Sequence, residues 1–208
     1  MVGWEFALLW LGWVLAGGSP GPATLGIAGT SMNAGRRLGL FFSLGILAGS
    51  AFWGLAAALG MSALMLANAW VFTVIKYIGA GYLLFLAFKS LKSAWSGSGL
   101  DAQAGKRGSA RQVFTQGALI HITNPKAILS WGAVYAVALP PGASQGAVFA
   151  LFALLYTGSI LVFIGYAFLF STPGIVRVYA RAKRWFELAF GVLFGAAALR
   201  LLTARITP

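Results

Sequence analysis

The stretch GGSPGPATLG, residues 17–26, decides the fold. Three glycines, a serine and two prolines fill residues 17–22, inside a run that otherwise reads as an apolar helix. Proline has no amide hydrogen and frees the carbonyl four residues before it. Pro20 therefore releases the carbonyl of Ala16, and Pro22 that of Gly18. In lipid, each orphan carbonyl costs several kcal/mol unless protein, water or a ligand satisfies it. The break is thus a built feature and the first candidate for a binding site.

The composition around it fixes the solvent. Of 208 residues, 60% are hydrophobic and 9% charged, with a mean hydropathy of +0.86. A water-soluble domain of this size has no interior able to hide so much apolar surface. The chain is predicted to be an all-α integral membrane protein, one transporter domain over residues 1–208. Apolar runs predict six spans, at 4–32, 38–66, 70–91, 112–139, 146–170 and 185–204. Roughly 20 residues cross the hydrocarbon, so the first, second and fourth have length to spare for bent backbone. The N-terminal segment lacks a basic start and carries Glu5, which reads as a retained span rather than a cleaved leader.

Charge then orients the spans. The net charge is +12, but the basic residues sit at the ends of apolar runs, where they meet lipid headgroups rather than nucleic acid. Eleven of the fifteen fall in three connections: Arg36 and Arg37; Lys89 to Arg111; and Arg177 to Arg184. The positive-inside rule places those connections in the cytoplasm and both termini outside, against the pull of Arg200 and Arg205. Arg177, Arg181 and Arg184 recur at helical spacing and read as a face against headgroups. Trp4 and Trp70 are expected at the outer interface, Trp95 and Trp185 at the inner one.

A glycine- and serine-rich linker, 96–111, divides the chain into halves 1–95 and 112–208. Pro20 in the first matches Pro125 in the second; AGS at 48–50 matches TGS at 157–159; FLAFKSLKSA at 85–94 matches GAAALRLLTA at 195–204. With three spans each, the halves face oppositely. The fold expected is six transmembrane helices as two inverted three-helix repeats, with helices one and four interrupted by proline. That pattern points to a secondary transporter with its site near the midplane.

The residues at the breaks suit a zwitterion. Carbonyls freed there, with Ser19 or Asn124, are expected to hold an ammonium. The half-helices starting near Ala23 and Thr24, and near Lys126 and Ala127, would face a carboxylate. The candidate binding set is Ser19, Pro20, Gly21, Pro22, Thr24, Asn124, Pro125 and Lys126. The bland alternative is a pair of kinks that only shape packing. Lys126 argues against it: a mid-span lysine costs roughly 2.5–3.5 kcal/mol, and a cation is disfavoured at a helix start. The three acids, Glu5, Asp101 and Glu187, are none of them central in a predicted span, so a substrate carboxylate is the expected partner. The competing reading is a lysine in a watery cavity or bonded to the freed carbonyls. His121, the single histidine, lies one turn before Pro125. It and Glu187 are the candidates for proton coupling, with a packing role as the alternative for the histidine.

Other features carry less. Gly45 with Gly49, and Gly191 with Gly195, are small-residue pairs that mark close helix contact and permit a homodimer. Cysteine is absent, and no zinc pattern, phosphate loop or nucleophile–histidine–acid set occurs, so neither a metal nor another cofactor is expected and catalysis is not.

The sequence also resembles the lysine-exporter family, the LysE/RhtB-type amino-acid efflux proteins. The resemblance rests on SPGPATL in span one, NAGRRLGLFFSLGILAGS into span two, KYIGAGYLLFLAFKSLKS in span three, and NPKAILSW followed by ALP in span four. It implies a bacterial inner-membrane exporter of amino acids or related metabolites, driven by the proton gradient, with Pro20, Gly21, Pro22, Arg36, Arg37, Asn124, Pro125 and Lys126 as its motif residues. Many members are similar in placing an acid after the second-span glycine and a histidine soon after. Here those positions are Ser50 and Trp53, so either another group handles protons or coupling works differently, and Trp53 is expected to make the lining bulkier and more apolar. Two other readings compete: a metal or inorganic-ion transporter, which needs acidic oxygen ligands that the spans lack, and a non-transporting membrane scaffold.

Overall fold

The structure, a computed structural model, describes residues 3–67, 69–96, 108–140 and 142–203; the greater part of the expected linker lies outside them. The described residues form seven helices and no strand: α1 (Gly3–Gly18), α2 (Pro22–Ala67), α3 (Ala69–Ser96), α4 (Ala110–Ile122), α5 (Pro125–Ala138), α6 (Gln145–Phe170) and α7 (Pro173–Thr203).

Both expected interruptions are present. Span one is cut at residues 19–21 and span four at 123–124. The pieces α1, α4 and α5 have 16, 13 and 14 residues. At 1.5 Å per residue each is about 20–24 Å long, short of the ~30 Å hydrocarbon layer. By contrast, 22–60 within α2 and the whole of α6 are long and apolar enough to cross a membrane.

Two expected connections turn out to be helical. NAGRR is not a loop: α2 runs through it with one non-helical residue, Gly35, at φ 83° and ψ 168°. That region is essentially open only to glycine, so one residue turns the chain where several were expected. The last helix starts at Pro173 rather than near 185, because proline suits the first helical position, where its missing N–H costs nothing. At α4, Ser109 and Gln112 form a reciprocal capping box, and Ser144 caps α6.

Helix packing follows the small residues. α2 lies along α4 and α6, and α3 along α7. A Cβ on Gly45 would strike the Phe114 carbonyl, and one on Gly117 the Phe42 carbonyl, so α2 and α4 meet backbone to backbone. Gly49 is part of the same contact, 3.2 Å from the Ala118 carbonyl on the same test. The pair in α7 is split: a Cβ on Gly191 would come within 2.6 Å of Leu91, whereas Gly195 has nothing within 4 Å. Leu8, Phe52, Phe88, Leu161 and Val192 stand more than half exposed on the outside of the bundle. So many large apolar side chains facing outward suit a hydrocarbon surround, not water.

Candidate functional site

The two breaks lie against each other. Lys126, second residue of α5, reaches across to the first break, where its Nζ donates to the Ser19 carbonyl at 3.2 Å and to Ser19 Oγ. Between the breaks is a cavity of about 50 Å³. Its lining includes Ser19, Gly21, Thr24, His121, Asn124 and Lys126. Six of the ten sequence-derived candidates therefore share one hollow. Pro20, Pro22 and Pro125 are not in the lining; their part is to end or start the helices around it.

Local chemistry explains how each break is held. Asn124 is the N-cap of α5: its Oδ1 accepts from the Lys126 amide at 3.0 Å, with Pro125 behind it at the first helical position. At the other break the hydroxyl of Thr24 reaches back, accepting from the Gly21 amide at 3.0 Å and lying 3.1 Å from the Ser19 carbonyl as donor.

The freed carbonyls are not left for an ammonium, which corrects the sequence-based expectation. Ala16 accepts from Ser19 Oγ at 2.8 Å, Gly18 from the Tyr166 hydroxyl at 2.5 Å, and His121 from the Asn124 amide at 3.1 Å. Nor are the first amides of α5 free for a carboxylate, because Asn124 takes those of Lys126 and Ala127 through its side chain and carbonyl. Buried orphan groups cost about 1–3 kcal/mol each, and the chain spends its own donors and acceptors on them. What remains at the site is the charge of Lys126. It is already bonded to Ser19, so it does not lack a partner as its sequence context suggested.

His121 is different. It is buried beside Phe163, ring centroids 5.5 Å apart, and its Nδ1 has no hydrogen-bond partner among the described residues. The residue lines the cavity, and a buried polar atom without a partner is a rarity that asks for a functional reason.

One expectation is corrected outright. Trp53 does not line the cavity: its indole donates to the Ile122 carbonyl at 3.0 Å, satisfying the broken end of α4. Glu187 is buried near the middle of α7, where it accepts from Ser93 Oγ at 3.0 Å. Its carboxylate lies outside the cavity yet within electrostatic range of Lys126, Tyr166 and Tyr179.

The remaining lining contains residues that sequence reasoning did not assign to the site. Ser50 and Ser159 close the two tripeptides that align the halves, and each is tied to a tryptophan: Trp131 Nε1 donates to Ser50 at 3.3 Å and Trp13 Nε1 to Ser159 at 3.0 Å. The two indoles lean on each other with centroids 4.5 Å apart. The serines were thus legible as repeat positions. Ser130 was legible too, four residues after Lys126 on the same helical face. The tryptophans were not, since tryptophan in an apolar helix is usually read as packing.

The motif residue Arg36 stands away from the cavity. Just past the Gly35 turn, its Nε donates to Ser171 Oγ at 3.0 Å and its guanidinium lies 5.1 Å from the Phe168 ring centre. Arg37 is exposed beside it.

A family model described as LysE type translocator matches residues 14–205. The chain belongs to this family. Among the relatives of this LysE-type chain are the threonine efflux protein of Escherichia coli (strain K12), 29% identical over 90% of this chain and 92% of that protein, and the threonine efflux protein of Salmonella typhi, 28% identical over the same shares. An uncharacterized membrane protein of Pseudomonas aeruginosa, PA4757, is 32% identical over 86% of this chain and 83% of its own. No solved structure matches. As a family of translocators, the LysE type is one of transporters rather than enzymes, in line with the sequence reading.

Proposed function

We propose that this LysE-type protein exports amino acids, or closely related small zwitterions, from the cytoplasm across the bacterial inner membrane at the expense of the proton gradient. The carrying observation is the cavity where the two helix breaks meet, lined by the buried Lys126 and by His121. In this reading residues 1–208 form one unit of six spans, two inverted repeats joined by the 96–111 linker. α1 with the start of α2 makes one interrupted span, and α4 with α5 makes the other.

Binding works by exchange of partners. The cargo carboxylate takes the Lys126 ammonium from Ser19, forming a charge-assisted pair in a dry site. The Ser19 carbonyl, still held by Thr24, is then free to accept from the cargo ammonium. No buried charge is left alone at any step, which matters because breaking a buried pair costs about 3–5 kcal/mol. Gly21, Asn124 and the three prolines hold the two backbones at that distance. Glu187 and His121 are the groups placed to carry the coupled proton, Glu187 through its charge on Lys126.

The relatives' names make threonine the first cargo to test. Efflux is measured from cells preloaded by dipeptide feeding, with and without the gene, with metabolite profiling of the medium. Equal release of every amino acid by both strains would sink the reading.

A further inference from the structure

A second cavity, of about 330 Å³, adjoins the first. Three residues line both: Trp13, Ala16 and Ser130. From Ala16 at the helix break the second cavity follows α1 back to Glu5 and Trp4, about 18 Å at 1.5 Å per residue. Leu83 of α3, Val134 of α5 and Leu193 of α7 make its other walls. It is therefore a shaft from the middle of the protein to the face where α1 begins. On the opposite side of the helix break the packing is aromatic. There the rings of Tyr166, Phe170, Tyr179 and Phe186 follow one another at centroid distances of 5.1, 4.9 and 5.6 Å. Tyr166 also bonds the Gly18 carbonyl.

We infer that the shaft is the half-channel through which cargo leaves the central cavity, and that Trp13 is its gate. The inference builds on the proposed function by naming the path and the residue that controls it. Trp13 is suited to the task. Its indole stands between the two cavities, held by one hydrogen bond to Ser159 and by contact with Trp131. Breaking a single bond and turning one side chain joins the cavities, whereas opening the other face requires a chain of four packed rings to part. Gly12, one residue earlier and in the shaft lining, has nothing within 4 Å of where a Cβ would stand, so α1 has room to move beside the gate. The structure is thus closed by a thin barrier toward the face where α1 begins and by a thick one toward the other. Water and a zwitterion in transit are the occupants, because the shaft adjoins the cavity that holds Lys126 and has a carboxylate at its far end.

The absence of native cysteine makes the test direct. Val134→Cys reports the shaft and Ser130→Cys the boundary with the central cavity. Each is exposed to a charged, membrane-impermeant methanethiosulfonate in right-side-out and inverted vesicles. Val134→Cys is expected to react from one side only, and Ser130→Cys slowly. If the gate is open in about 10% of molecules or fewer, adding Trp13→Ala should speed labelling of Ser130→Cys at least about tenfold. Ser159→Ala, which removes only the indole's acceptor, should speed it in the same direction and serves if Trp13→Ala does not fold. A Val134→Cys that stays unreactive overturns the half-channel, since a cleft filled by lipid chains excludes the charged reagent. Equal Ser130→Cys rates with and without the gate substitutions overturn the role of Trp13. Labelling reads the path and not the cargo: the expected pattern without amino-acid efflux would leave the half-channel standing and remove the proposed cargo.

Discussion

At the scale of single residues, Lys126 and Gly35 carry the sharpest consequences. Lys126 is a buried cation whose hydrogen-bond partners are neutral, so deleting it breaks no hydrogen-bonded ion pair. The Ser19 carbonyl keeps its bond from Thr24. Lys126→Ala should therefore reach the membrane at wild-type level while efflux falls to that of cells lacking the gene; immunoblot and efflux assay read the two separately. Gly35 adopts a conformation that an L-residue occupies at a cost of about 1–3 kcal/mol, and nothing crowds the position. Gly35→Ala should lower the thermal unfolding midpoint in detergent through backbone strain alone. A midpoint unchanged from wild type would contradict the turn. Trp53 adds a third case: Trp53→Phe removes the donor to the Ile122 carbonyl, with an expected loss of about 1–3 kcal/mol for a buried orphan acceptor.

At the scale of elements, the packing of α2 on α4 rests on missing side chains. Gly45→Ala puts a methyl into the Phe114 carbonyl and must push two backbones apart, whereas Gly195→Ala enters open space and gains up to about 1 kcal/mol of helix propensity. Size-exclusion yield and melting of the two variants should move in opposite directions. The sequence marked both glycines alike, as members of small-residue pairs. Spacing identifies a face able to approach a neighbour; it does not say whether a neighbour is there. The same limit explains α7. Its apolar pattern starts near residue 185, so the basic segment before it read as a connection. The helix itself begins at Pro173, where the backbone and not the hydropathy changes.

At the scale of the whole molecule, the proposal requires cargo movement and proton movement to be linked through Lys126. Glu187→Gln keeps the hydrogen-bonding shape beside Ser93 but removes the charge that acts on Lys126. In vesicles, this variant should still exchange labelled for unlabelled amino acid while losing net transport driven by an imposed proton gradient. Loss of both activities would make Glu187 a structural residue instead. His121→Gln provides the parallel test for the other candidate, and the variant that separates exchange from driven transport identifies the coupling group.

The sequence by itself determined the membrane-like composition, the two proline breaks, the pairing of Pro20 with Pro125 and membership of the family, because each is a property of local residue order. It also marked SPG and NPK, the two segments that the structure brings together around one cavity. Only the tertiary structure decided which groups those breaks leave available. Whether a freed carbonyl is open to a solute depends on donors that come from distant segments, such as Tyr166 for Gly18, Trp53 for Ile122 and Lys126 for Ser19. Hydrogen-bond satisfaction in a dry interior is settled by three-dimensional proximity, and no spacing along the chain encodes it.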